Sequence, residues 1–186
     1  MKKFSQKNIA EYLYRNFSSV DGLWFVKVEE QFGFEKALEI DKEVWKVLPK
    51  IQARFIKSCL SPGIAPENIT SPASNSRSEV FSPEDLFIKA LKIKLKIDHF
   101  RYRIFSGPGF IKVKITHCPW HEIMVRSGRE NLSAKVGSSI CMTEYSVFAS
   151  EFFKDMHFDI TEKICNSAGS CIFYFKKQNK PQLEKG

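Results

Sequence analysis

Four prolines fall between Ser61 and Pro83, among Ser and Asn residues and without a periodic apolar face. Proline fixes its own backbone and lacks an N–H, so a stretch built this way neither continues a helix nor fills a central strand. The chain is therefore divided into two parts that fold by different rules and then pack together. The division predicts a helical subdomain over residues 1–60, a mobile linker over 61–82, a cysteine-containing domain over 83–178 and a disordered tail over 179–186.

Before the linker the apolar spacing is helical. Ile9, Tyr12, Leu13 and Phe17 predict a first helix from Ser5 to Phe17, with Asp21-Gly22 as its end. Leu23, Val26 and Glu30 then lead to a break at Phe32-Gly33-Phe34. Beyond it Ala37, Leu38, Val44, Trp45, Leu48, Ile51 and Phe55 mark an apolar face that Pro49 should kink or divide. After the linker, residues 83–97 fit two periods. Leu86, Ala90, Ile93 and Ile97 make a helical stripe, whereas Leu91, Ile93, Leu95 and Ile97 alternate with lysines as a strand would. Pro83 followed by Glu84 and Asp85 favours a helix start. Phe100, Tyr102 and Ile104 alternate with Arg101 and Arg103, and Ser106-Gly107-Pro108-Gly109 turns the chain into Phe110–Thr116 as a β-hairpin. Helices over Pro119–Arg129 and Ser133–Phe153 and strands over His157–Ile164 and Cys171–Lys176 complete the order. The predicted fold is α+β, an N-terminal helical segment packed with a ββααββ antiparallel-sheet domain.

The net charge of +8 is uneven. Ile88 to His117 carry 8 basic groups against the single acid Asp98, while residues 1–60 carry 11 basic and 8 acidic groups. Lys92, Lys94, Lys96, Arg101, Arg103, Lys112 and Lys114 thus imply one basic face. Clustered cations of this kind suit phosphates, but the segment holds no nucleic-acid-binding motif, so a solvated face or a funnel for small anions is the expectation, and nucleic acid is not an expected partner. No apolar run approaches the ~20 residues of a membrane span, and the N-terminus lacks the apolar core of a signal peptide. A cytoplasmic protein without a membrane partner is expected, with a second copy of the chain as a candidate partner. In a reducing compartment five cysteines are buried thiols, metal ligands or redox groups rather than a disulfide framework.

Four of those cysteines, Cys118, Cys141, Cys165 and Cys171, lie within 54 residues, leaving Cys59 apart. They are candidate metal ligands for zinc or an iron–sulfur cluster. No CxxC pair occurs, and a single cysteine packs readily as a small core residue. Cys118 stands where a strand meets a helix opened by Pro119, so helix-terminal N–H groups are expected to favour its thiolate. On the following helix Gly137, Cys141, Glu144, Tyr145 and Phe148 share one face. Glu144 is the candidate general acid/base, Tyr145 a donor to a developing anion, and Arg129 a holder of a substrate carboxylate. His121 and the Glu122, Arg126, Glu130 row read more simply as a solvated helix surface. A pocket is expected with Glu144 and Tyr145 on one wall, the Cys118 turn on the other, and the N-terminal helices closing it.

Asp21-Gly22-Leu23-Trp24-Phe25, Phe32-Gly33-Phe34-Glu35-Lys36-Ala37-Leu38, Cys118-Pro119-Trp120, Gly128-Arg129-Glu130, Ile140-Cys141 with Glu144-Tyr145, and Cys171-Ile172-Phe173 resemble segments of the L-2-amino-thiazoline-4-carboxylic acid hydrolase-like proteins and their uncharacterised relatives. The ββααββ part also resembles 4-vinyl reductase domains. The resemblance implies a small-molecule ligand, met either by hydrolytic opening of a small sulfur and nitrogen heterocycle or by binding in a sensor-like fold. Two functions are therefore expected: a small-molecule-binding protein with a cysteine-rich metal or thiolate site and hydrolase activity, or a non-catalytic zinc or iron–sulfur redox or sensor module. The chain has no HExxH, GxSxG, P-loop or dinucleotide fingerprint.

Overall fold

A computed structural model describes residues 4–60 and 81–177. All but the last two residues of the expected linker, and the whole expected tail over 179–186, lie outside the described residues. The fold is α+β, a helical N-terminal part followed by a four-stranded antiparallel sheet with helices against it.

Helix α1 (Gln6–Phe32) begins at Ser5, whose hydroxyl accepts the Asn8 N–H at 3.2 Å while the Asn8 side chain accepts from the Ser5 backbone at 3.1 Å. This reciprocal cap satisfies two N–H groups that the first helical turn leaves open. The helix does not end at Asp21-Gly22 but runs through it. One glycine costs a helix about 1 kcal/mol, too little to stop 27 residues that contain no proline. The break comes at Gly33, where φ is 82° and ψ 162°, a region that a side chain disfavours and glycine does not. Helix α2 (Phe34–Trp45) follows, and Pro49 sits in the first turn of α3 (Leu48–Leu60), dividing the expected long helix at the position where a missing N–H costs least.

Helix α4 (Pro83–Ile97) settles the ambiguous segment. Ser82 caps it, accepting the Asp85 N–H at 3.1 Å, with Pro83, Glu84 and Asp85 in the first turn. Its buried face, however, is Phe87, Ala90, Leu91, Lys94 and Leu95, rotated from the expected stripe so that Ile97 is exposed and Lys94 is inside. Strands β1 (Arg101–Gly107) and β2 (Phe110–His117) form the expected hairpin. Helices α5 (Pro119–Arg126) and α6 (Glu130–Ser150) lead to β3 (Met156–Glu162), and a single 3-10 turn at Ile164–Asn166 precedes β4 (Cys171–Lys177). The strand order is β1-β2-β4-β3, every neighbour antiparallel.

Register fixes which side chains reach the core. Val113 faces Phe173 and Ile111 faces Phe175 across β2 and β4, and Phe158 and Ile160 face the same two aromatics from β3. These side chains are buried against Phe87, Leu91 and Leu95 of α4, Tyr145 and Phe148 of α6, and Ala53 and Ile56 of α3. Phe87 lies edge-on to Phe175 at 5.0 Å, which locks α4 onto the sheet with the ring geometry that favours aromatic pairs. A second cluster of Leu38, Trp45 and Ile140 joins α2 to α6, with Phe25, Phe34 and Trp120 packed around it. α1 reaches the rest through Tyr14 stacked on His99 at 4.0 Å, Phe17 edge-on to Trp120 at 6.4 Å, and Phe25 against Phe34 at 5.9 Å.

A β-carbon added at Gly22 meets no atom within 4 Å. Gly22→Ala is expected to stabilise the protein by about 0.5–1 kcal/mol through reduced freedom of the unfolded chain and better helix propensity. A urea midpoint that stays level or falls would show that α1 is not a continuous helix at this position.

Candidate functional site

Lys94 is the residue around which the polar interior is built. It projects from the apolar stripe of α4, one turn before Asp98 and beside Leu91 and Leu95. Its ammonium lies 2.6 Å from a Glu144 carboxylate oxygen on α6, 2.9 Å from Asp98 Oδ2 and 3.0 Å from Gln52 Oε1 on α3. Lys94 and Glu144 are 2% and 3% exposed, so this is an ion pair inside the core. Burial pulls the Lys94 ammonium down, yet Glu144 and Asp98 outweigh it and hold its pKa above the ordinary value. Burial raises Glu144, partly offset by Lys94 and reinforced by the negative charges of Asp98 and Asp21. The expectation that burial would raise Glu144 therefore holds, but the carboxyl faces a lysine and not an open pocket.

Tyr145, one residue on, is fully buried with its ring 4.7 Å from that of Phe173 and 5.8 Å from that of Phe158. Among the described residues its hydroxyl has no hydrogen-bond partner. Burial, and then the charges of Glu144 and Asp98, push its pKa well above the usual range, so it stays a neutral phenol. A buried hydroxyl left unpaired costs about 1–3 kcal/mol, which makes this atom an exception that packing alone does not account for.

The four C-terminal cysteines are free thiols, each partly buried, whereas Cys59 is exposed on α3. They come into one neighbourhood from four places. Cys118 caps α5 at the end of β2, Cys141 lies on α6, Cys165 on the 3-10 turn, and Cys171 opens β4. Cys171 Sγ accepts the Ile164 N–H at 3.2 Å. Gly137 lets α6 approach the turn, since a β-carbon there would stand 3.0 Å from Cys165 Sγ. The thiols are close enough that the charge of Cys118, Cys171 or Cys165 would raise Cys141. Among the described residues, however, no group of three or more His, Cys, Asp and Glu side chains is disposed to hold a metal ion.

Nor is Cys118 activated. The N–H groups of His121 and Trp120 do favour its thiolate, as the helix start predicts, but burial is the larger effect and pushes the thiol up to about 12. Desolvation of the anion exceeds what two helix-terminal donors return, so Cys118 is protonated at neutral pH. Cys141 is raised by burial as well, and so are Cys165 and Cys171.

Arg129 stands elsewhere in the network. Its guanidinium is 2.5 Å from Glu29 of α1 and lies over the Phe25 ring at 6.0 Å, so it ties α1 to the start of α6. His121 is equally committed, Nδ1 lying 2.8 Å from Ser133 Oγ. Glu122 pairs with Arg126, the solvated row its spacing predicts, and with His117 Nε2 at 3.4 Å. The basic face loses Lys94 to the interior but keeps a cross-strand row. Arg103 pairs in register with Lys114, and Lys112 with Tyr174, all on the side of the sheet away from the core.

Sequence reasoning missed Asp21 and Asp41. These carboxylates line a cavity of about 40 Å³ between α1 and α2, with Phe25, Val28, Ala37 and Ile40. Burial raises both, and Asp41 reaches about 7, pushed also by Asp21 and Glu144 and lowered by the Trp45 indole that donates to it. The signal was available, since Asp21 and Asp41 each fall on the inward-facing side of an amphipathic helix.

Residues 2–69 match a family described as Family of unknown function (DUF6125). That match spans α1 to α3 and contains Gln52, Asp21 and Asp41, but stops before Lys94, Glu144 and the four clustered cysteines. No curated protein and no solved structure shows significant similarity to the chain.

Two outcomes check the electrostatics. Lys94→Met is expected to cost about 3–5 kcal/mol, because it strands two carboxylates, while Lys94→Met combined with Glu144→Leu restores most of that loss. A double variant as unstable as the single one by urea unfolding would show that the pair is not the source of the cost. For Asp41 the folded pKa of about 7 lies above its ordinary 3.8. Its contribution is therefore fully present below pH ~4 and lost as pH rises through ~7. Asp41→Asn should make the protein more stable than wild type at pH 8, flattening the decline between pH 5 and 8. Parallel pH profiles for the two proteins would remove Asp41 as its source.

Proposed function

We propose that the protein binds a small molecule at the seam between the α1–α2 layer and the α4–α6 interior, with Lys94 and Glu144 as its charged anchor and Cys118, Cys141 and Tyr145 in the wall. The observation that carries this reading is the buried Lys94–Glu144–Asp98 cluster beside a tyrosine hydroxyl with no partner among the described residues. Replacing a buried ion pair by apolar side chains is often neutral or stabilising, so the cluster is a weak contributor to stability and a natural place for recognition. A ligand donor or acceptor satisfying the Tyr145 hydroxyl would recover the free energy now forgone there.

The resemblance to 2-amino-thiazoline-4-carboxylate hydrolases supplies the probe and the chemistry to test. With Cys118 and Cys141 protonated, ring opening would use water. Water adds to the C=N carbon as Glu144 takes one of its protons and passes it to the ring nitrogen. The hydroxyl of the adduct then gives its proton to Glu144 as C=O forms, and that second proton goes to the departing nitrogen as the C–N bond breaks. Lys94 would hold the carboxylate of the ligand. The gathering of four thiols favours a second reading, a zinc or iron–sulfur redox or sensor module, which requires the sulfurs to close further on one another. Metal and sulfide analysis of anaerobically purified protein separates that reading, since a metal-free protein leaves the thiols as packing groups.

Titration of the full chain with 2-amino-thiazoline-4-carboxylate, followed by calorimetry and by chromatography of the products, tests the first reading. Binding is expected, abolished in the Lys94→Met, Glu144→Leu double variant although that variant stays folded. If turnover accompanies binding, Glu144→Gln should slow it at least ~100-fold. Equal binding by the double variant, or no binding by the wild type to this compound and its carboxylated heterocycle analogues, would defeat the assignment.

A further inference from the structure

Helix α1 has 27 residues and buries none of them. One side, carrying Tyr14, Phe17, Phe25 and Glu29, docks on the rest of the protein. Another side carries Ile9, Leu13, Asn16, Val20 and Leu23 at alternating spacings of four and three, flanked by Tyr12 and Trp24. Tyr12, Leu13, Val20, Leu23 and Trp24 are each more than half exposed. The spacing is the a/d seam of a helix pair, and Asn16 is the one polar member.

The surface left open is large. With aromatic side chains offering ~150–250 Å² each, the six apolar residues of the stripe expose on the order of 600 Å², at the top of the range for any patch on a monomer. It continues onto the end of α2 and the turn after it, because Trp24 and Val44 line one cavity and Val44 and Val47 are themselves exposed. The total approaches the ~800 Å² per partner that a stable specific interface buries.

We infer that this stripe of α1 is an isologous dimer interface, covered by the α1 of a second copy of the chain running antiparallel. The area a stable dimer needs selects a second copy, and the helix dipole selects the direction, since antiparallel pairing opposes the two macrodipoles and a parallel pair would align them. The dyad then passes near Asn16, whose amide meets its own counterpart, each supplying the donor and acceptor that the other lacks in an apolar seam. Ile9 of one copy comes beside Leu23 of its partner.

Sedimentation equilibrium of the full chain at about 50 µM, above the micromolar constants of weak specific interfaces, reads the mass directly. Twice 21.5 kDa is expected. Leu13→Glu combined with Leu23→Glu should give the monomer with an unchanged far-ultraviolet circular dichroism spectrum, since neither side chain supports the fold from within. Direction is read by oxidative cross-linking in a Cys59→Ser background. Ile9→Cys should link to Leu23→Cys in a mixed sample, and Ile9→Cys alone should not link to itself. A wild-type monomer, a dimer that survives the two glutamates, self-linking of Ile9→Cys, or a monomer whose α1 stripe instead binds phosphatidylglycerol vesicles would each overturn the proposal.

Discussion

The salt bridge between Lys94 and Glu144 sets the terms on which the two longest helices of the α+β part meet. α4 and α6 both lie against the sheet over Val113, Phe173 and Phe175, and the ion pair fixes the two helices against each other as Phe87 fixes α4 against the sheet. A charge pair in a desolvated interior does not slide, because any displacement exposes each ion to an environment that cannot solvate it. Gln52 extends the constraint to α3 and Asp98 to the entry of the hairpin. Four elements are thus referenced to a single ammonium group.

Around that reference the helical layer is held more loosely. It meets the rest through aromatic pairs, the small cluster of Leu38, Trp45 and Ile140 and the Glu29–Arg129 pair, and it holds within itself a small cavity where the charge of Asp21 adds to burial in raising Asp41. Acid groups facing each other across a helix pair weaken the pair as they ionise, and no cation is among the groups shifting Asp41. The interior of the α+β part is thereby better cross-braced than its junction with α1 and α2. Among the described residues no helix is long and apolar enough to cross a membrane, so the open stripe of α1 is not a spanning segment.

Local rules carried most of the fold. Proline at 49 and 83, glycine at 33 and 109, and the alternation around Arg101 and Arg103 each act within a few residues, and elements form where those residues require them. Gly22 misled for the same reason, since an isolated glycine signals a break only when nothing else keeps the helix going. The site was legible in part. Cys141, Glu144 and Tyr145 share a face because three and four residues make one helical turn. Lys94 was not legible, because a lysine between Leu91 and Leu95 looks like the polar half of an alternating strand until its partner on α6, fifty residues away, is known. The same limit applied to Cys118, where the attraction of nearby N–H groups is a local matter and the desolvation that exceeds it depends on the whole surrounding structure.

The indoles of Trp45 and Trp120 meet edge to face at 6.3 Å, one from α2 and the other from α5. Trp45 is buried and gives its N–H to Asp41, while Trp24 is open to water on α1. The three tryptophans of the chain are therefore one exposed indole and a pair that meets at the junction between the helical layer and the sheet domain. Light emitted by the inner pair depends on whether that junction is closed, so the protein carries an optical gauge of its own docking without any added label.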